Sequence, residues 1–275
     1  MTVRLRERRK ELHLTTSAVA KYMGFSPNYW SAVENDRTVL ARDKLAKLNG
    51  LFEFDDEEAR ELAELHEAAK RPRWWTRYAD LLDDDLMQLF GLEAGAESVR
   101  IHEGRLVTGL LQTREYAEAV IGADPAASTV TMKQRWELRK RRQRRLTDDD
   151  PLQLTALMSE AALKQHFGDS GVLREQLKFL AKAIEDLSET LEVRILPFDR
   201  SPLGMTGAST LYLLDFSSPH LPTVVWRDAV TPIGFAEQPE EVETLRVSFL
   251  QALEESSLGR EDSLAMIERR IADLS

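Results

Sequence analysis

The sequence predicts an α+β protein: an N-terminal all-α domain of five helices over residues 1–72, then a mixed α+β domain over 73–275 with a small, mainly antiparallel sheet. Three observations predict it. The first seventy residues set apolar side chains at helical spacing between cap residues. Pro72 breaks that pattern just before the adjacent pair Trp74 and Trp75. Beyond residue 150, short runs that alternate apolar and polar side chains are separated by longer helical stretches.

In the head, residues 3–12 place Leu5 and Leu12 two turns apart, with Arg4, Arg6, Arg8, Arg9 and Lys10 on the remaining faces, which makes a basic amphipathic helix. Thr15 or Thr16 offers an N-cap for a second helix, 17–23, with Val19, Ala20 and Met23 at core spacing. Gly24 ends it and supplies the positive φ that a tight interhelical turn requires. Ser26 caps a third helix, 27–35, with Pro27 at the first position, where a missing N–H costs nothing. Helices over 40–52 and 56–70 complete the five. Asp55, Asp56, Glu57 and Glu58 at the start of the last one suit its dipole.

In the body, residues 75–121 read as helical, from Leu86, Leu89 and Phe90 through Ala96, Val99 and Ile101 to Tyr116 and Val120. Residues 135–145, RWELRKRRQRR, form an arginine-rich helix with two readings: a second nucleic-acid surface, or a helix docked on carboxylates of the acidic body. Trp136 and Leu146 mark one packed face, which favours docking. After a turn at 148–151, strands are expected at 152–157 and 191–198 with helices 160–167 and 172–187 between them. Strands at 209–216 and 222–227 have no helix between them and should pair antiparallel. Helices 240–255 and 261–274 close the chain.

The net charge of −10 divides unevenly along the chain. Residues 1–50 hold ten Lys and Arg against five Asp and Glu, a balance of +5, and the remainder carries −15. Phosphate binding depends on the local field, so an acidic total does not exclude a nucleic-acid partner. The absence of any long apolar run, and a first segment without the apolar core of a signal peptide, lead us to expect a cytoplasmic protein with no membrane partner. Zero cysteines exclude disulfides, thiolate zinc sites and cysteine nucleophiles. The histidines at 13, 66, 102, 166 and 220 show no metal-ligand spacing. Residues 204–207 lack the Lys-Ser/Thr of a phosphate loop, and no Gly-x-Ser-x-Gly occurs. We therefore expect no metal, no cofactor and no enzyme. The 204–207 loop and the aromatics Phe198, Tyr212, Phe216 and Trp226 are as consistent with plain sheet core as with a ligand cavity.

A helix entering the major groove shows its N-terminal residues and one face to the bases while the other face packs inside. Trp30 and Val33 should be core; Asn28, Tyr29, Ser31 and Ala32 should face outward, and Asn28 is the best base reader, since Asn can hold adenine N6 and N7 together. The order Ala20, Gly24, Trp30, Val33 and Glu34 resembles the lambda-repressor-like, xenobiotic-response-element type of helix-turn-helix over about the first fifty residues. This sequence departs from that pattern at Thr16, where glutamine is usual, and at Asp36, where glycine is usual. Thr16, Ser26, Asn35 and Arg37 lie at helix ends that match, by this resemblance, places where that family meets backbone phosphates, and Arg42 and Lys44 would extend that contact. The resemblance implies operator DNA as a partner.

The segment Thr108-Gly109-Leu110-Leu111-Gln112-Thr113 resembles the Pro-Gly-Leu-Leu-Gln-Thr motif of a long domain fused to this helix-turn-helix in actinobacterial regulators. The Trp74 and Trp75 pair, Leu92-Glu93-Ala94, Tyr116-Ala117, Arg142-Gln143, Glu160 to Leu163, Gln176-Leu177 and Leu196-Pro197-Phe198 recur in the same order. This implies an antitoxin-like developmental regulator whose body binds a small protein encoded by a neighbouring gene. Trp74, Trp75, Leu110, Leu111 and Gln112 are then the partner or interdomain candidates. A homodimer reading two half-sites is expected. An adaptor or sensor, whose body binds a protein or small ligand and whose head has little DNA affinity, is the second reading.

Overall fold

A computed structural model describes residues 1–35, 37–70, 74–123, 128–200, 210–228, 234–236 and 238–274. Asp36, Pro72 and the 204–207 loop, all used in reading the sequence, lie outside the described residues. The chain divides into two compact units, residues 1–74 with 218–221, and residues 75–217 with 222–275.

The head is built from α1 (Thr2–Glu11), α2 (Thr16–Met23), α3 (Pro27–Glu34), α4 (Leu45–Phe52) and α5 (Asp56–Ala69). Thr15 is the N-cap of α2, its hydroxyl accepting the Ala18 N–H at 3.1 Å. Gly24 then turns the chain at φ 77°, and the Phe25 N–H closes back on the Ala20 carbonyl at 2.8 Å. Ser26 caps α3 by accepting the Tyr29 N–H. The expected helix over 40–52 divides: Leu40 and Ala41 stay outside it, Ala41 is extended, and a single 3₁₀ turn at Arg42–Lys44 leads into α4. The extended start lets Leu40 drop into the core, where its carbonyl accepts from His66 Nε2 at 2.6 Å.

Leu5, Val19, Trp30, Val33, Leu48, Phe52 and Leu62 form that core, with Phe52 edge-on to Trp30. Each such side chain contributes about 1.5–3 kcal/mol through burial.

The body carries α6 (Asp84–Gly95), β1 (Ser98–Glu103), α7 (Arg114–Gly122), α8 (Thr129–Gln143), β2 (Gln153–Ser159), α9 (Ala161–Lys164), α10 (Ser170–Asp186) and β3 (Leu191–Leu196). It continues through β4 (Thr210–Asp215), β5 (Val224–Asp228), β6 (Gly234–Phe235), α11 (Pro239–Gln251) and α12 (Arg260–Asp273). The six strands form one sheet in the order β3-β2-β1-β4-β5-β6. It is mixed, with three of its five pairings antiparallel, and larger than the small sheet expected. β1, β2 and β3 run parallel, β4 to β6 antiparallel, and helical crossovers make the parallel half possible. β1, the strand at the junction of the two halves, falls where the sequence predicts helix. Ala96 and Val99 mimic a helical repeat, but Val99 and Ile101 are β-branched residues in a strand that pairs on both edges.

Register assigns the faces. Leu157, Leu211, Leu213 and Val225 lie on one face beneath Phe249 of α11 and Leu253. The pairings Glu103 with Thr210, Ile101 with Tyr212, Tyr212 with Trp226 and Thr210 with Asp228 put these residues together on the other face.

Candidate nucleic-acid interface

α3 divides its side chains as a groove-reading helix must. Trp30, Val33 and Glu34 are buried, whereas Ser26, Asn28, Ser31 and Asn35 are exposed. Positions 28, 31 and 35 fall on one stripe of a 3.6-residue helix, so the structure brings these predicted residues together. Ala32 is half-buried beside them. Tyr29 departs from expectation: it packs on the head core and tilts against Phe25 with ring centres 4.6 Å apart, which leaves only part of it exposed.

The buried face is held by an arrangement that the sequence reading missed. Glu34 accepts from Trp30 Nε1 at 2.7 Å, one turn earlier on its own helix. The same carboxylate accepts from Arg9 of α1, through Nε at 2.6 Å and Nη2 at 3.1 Å. Arg6 of α1 donates to the Glu34 carbonyl at 2.7 Å and to Asn35 Oδ1 at 3.2 Å. Asn35 in turn donates to the Ser31 carbonyl at 2.9 Å. Of the orphan carbonyls at the end of α3, that of Glu34 is thus met by α1 and that of Ser31 by Asn35. The signal was present in Arg6 and Arg9, three residues apart on a basic helix, but spacing alone does not say where such a pair points.

The predicted phosphate contacts fall on several elements. Thr16 is the first residue of α2 and half-exposed, and Arg37 is exposed in the segment after α3. Arg42 and Lys44 sit on the 3₁₀ turn, where Arg42 lies 3.5 Å from Glu67 and Lys44 lies 3.0 Å from Asp43. Such exposed pairs are worth at most about 1 kcal/mol and can re-form onto a phosphate. Glu67 itself is held below the usual carboxylate range, first by its hydrogen bond from Lys70.

Two family models match the chain. One, a helix-turn-helix domain, covers residues 1–62, and the other, described as a domain of unknown function (DUF5753), covers residues 86–269. The chain belongs to the DUF5753 family. Neither a curated protein nor a solved structure matches it. The helix-turn-helix match suggests a DNA-binding regulator. Among the described residues, no helix is long and apolar enough to cross a membrane.

Within the DUF5753 region, the candidate partner residues are largely spent inside. Leu110 and Leu111 are buried on a 3₁₀ turn, and Gln112 donates to the Val107 carbonyl at 2.6 Å. Gln143 and Gln176 bind the same turn through the carbonyls of Gly109, Gln112 and Leu111. This segment therefore corrects the expectation of a partner surface: its amides and carbonyls staple the parallel crossover. Trp74 ends the first unit and Trp75 opens the second, both half-buried.

The arginine-rich stretch belongs to α8 and the turn after it, and it is split between the interior and solvent. Arg142 is buried, pairs with Glu93 of α6 through two hydrogen bonds of 2.8 and 2.6 Å, and lies over Phe90 at 4.3 Å. Burial opposes its charge, but Glu93 and Tyr212 outweigh it and hold the guanidinium above its ordinary value. Arg145 donates to the Ala96 and Asp150 carbonyls. Lys140, Arg141 and Arg144 remain exposed.

Proposed function

We propose that this protein is a sequence-specific, operator-binding transcription regulator of the antitoxin-like, xenobiotic-response-element type, acting in the cytoplasm and having no enzymatic activity of its own. The observation that supports it best is the division of α3, with Asn28 and Ser31 outward and Glu34 tied to α1 behind them. Asn28 reads a base, the α2 and α3 N-termini meet phosphates, and a homodimer spans half-sites about 34 Å apart. The body receives the regulating partner, a small protein encoded next to it. Since Leu110, Leu111 and Gln112 are internal, that partner meets another part of the body.

One observation favours the second reading, an adaptor with weak DNA affinity: Arg42 and Lys44 already sit beside carboxylates. Fluorescence anisotropy of the full chain on its own upstream DNA and on scrambled DNA, over several salt concentrations and with or without the neighbouring gene's product, decides between them. Selective, salt-dependent binding that the partner modulates is the expected result. Equal affinity for both DNAs in every condition would overturn operator recognition and leave the adaptor.

A further inference from the structure

The polar sheet face of the body does not pack solidly against the helices above it. A cavity of about 400 Å³ lies between that face and α6, α7 and α8, within the range of small-molecule sites. Its walls are mostly apolar, with Leu86, Leu89, Phe90, Ile121 and Leu138 among them. Its polar groups come from the sheet, from α8 and from Gln112 beside the 3₁₀ turn. Register sets Glu103, Thr210, Tyr212, Trp226 and Asp228 side by side on the sheet. Arg135, Arg139 and Arg142 project from α8 at positions i, i+4 and i+7, which is a single helix face.

These groups are not equivalent. Arg142 is matched by Glu93. Arg139 has no carboxylate within ion-pair distance among the described residues, and its Nη1 is buried without a hydrogen-bond partner. Gln112 Oε1 and Trp226 Nε1, on two other residues lining the cavity, are unpartnered in the same way. A buried polar atom left unmet costs about 1–3 kcal/mol, and three of them around one cavity favour a polar ligand over a plain core. Glu103 is buried, accepts from the Thr210 hydroxyl at 3.0 Å and is pushed up to about 8, mainly by burial. At neutral pH its carboxyl is uncharged and can donate to a ligand oxygen rather than repel it.

We propose that this cavity is a binding site for a small amphiphilic carboxylate, whose apolar body lies among the leucines of α6 and α8 and whose carboxylate pairs with Arg139. A single negative charge suits it. Arg142 is already neutralised, and Asp228 at the rim opposes a multiply charged phosphate. The assignment stands whether or not the head binds DNA, because every residue it uses lies in the second unit.

The test is calorimetric titration of the full chain with decanoate and 2-naphthoate, and with the corresponding amines and alcohols as charge controls. One carboxylate should bind saturably at one per chain, at least about tenfold tighter than its amine and alcohol, the value of one charge-assisted hydrogen bond. Arg139→Gln should remove that preference while leaving the alcohol's affinity within about twofold, which separates a lost charge from a lost fold. Arg139→Lys should retain most of the preference, and Leu86→Trp, which fills the apolar end, should block carboxylate and alcohol alike. No saturable carboxylate binding below about 1 mM, an amine bound as tightly, or a carboxylate affinity that survives Arg139→Gln or Leu86→Trp would each overturn the site.

Discussion

Replacing Glu34 with alanine should loosen the face of the head that meets DNA without touching that face. The side chain of Glu34 is 6% exposed and that of Arg9 15% exposed, so the pair sits between the buried and surface limits. Breaking a fully buried pair from one side costs about 3–5 kcal/mol, because the remaining charge is left without a partner. Arg9 can recover part of this by turning to water, whereas the buried Trp30 N–H cannot. A loss of about 3 kcal/mol follows, equivalent to roughly a hundredfold rise in the open population of the head. Hydrogen exchange of the full chain, read peptide by peptide, measures it where a single melting curve would mix two units. Amides of α1 and α3 should exchange about a hundredfold faster, with the body unchanged. The double variant Arg9→Met with Glu34→Leu should recover at least about half of the loss, since removing both partners leaves no orphaned charge. Acceleration below about fivefold in Glu34→Ala, or a double variant worse than both single ones, would refute the idea that this pair sets the posture of α3.

Two further perturbations address single groups. Asn28→Ala should weaken operator binding by about 1–3 kcal/mol while leaving scrambled DNA unaffected; equal losses on both DNAs would remove Asn28 as a base reader. Glu103 should make the body less stable as pH rises. Its folded-state value, about 8, lies above the ordinary 4.5, so its contribution is complete below the ordinary value and is lost as pH climbs towards the folded one. Asp228 adds to that upward push, Arg139 and Arg142 oppose it, and the net loss from pH 5 to 8 is about 3 kcal/mol. Denaturant midpoints of the body should fall over that interval in the natural chain and stay nearly level in Glu103→Gln; a fall of the same size in both would assign the slope to other groups.

The parts of this fold that could be read from sequence are those whose causes are local. Thr15, Gly24, Ser26 and Pro27 act within one turn of where they stand, so the α2, turn and α3 unit was legible, and so were its core residues Val19, Trp30 and Val33. β1 was not. Its partners β2 and β4 arrive from distant parts of the chain, and only their pairing turns the Val99 and Ile101 repeat into a strand. The Arg142 and Glu93 pair fails for the same reason: a basic run read in isolation looks solvent-exposed, and only the packing of α8 on α6 decides which of its arginines turns inward.

The same distinction limits what the positive balance of residues 1–50 implies. Composition counts charges, whereas phosphate binding uses those left to spend. On α1, Arg4 pairs with Glu58, Arg9 with Glu34 and Lys10 with Glu7, while Arg8 joins Glu11 and the carbonyls of Phe52 and Glu53. That helix holds half of the ten basic residues among residues 1–50, and its buried members hold the fold together rather than DNA. The dependence of DNA affinity on salt should therefore report only the few phosphates met near α2, α3 and the 3₁₀ turn, each contributing about −0.9 to the logarithmic slope. A slope steep enough to require contacts from α1 as well would mean that those pairs open on binding, and that the head found on DNA is not the one described here.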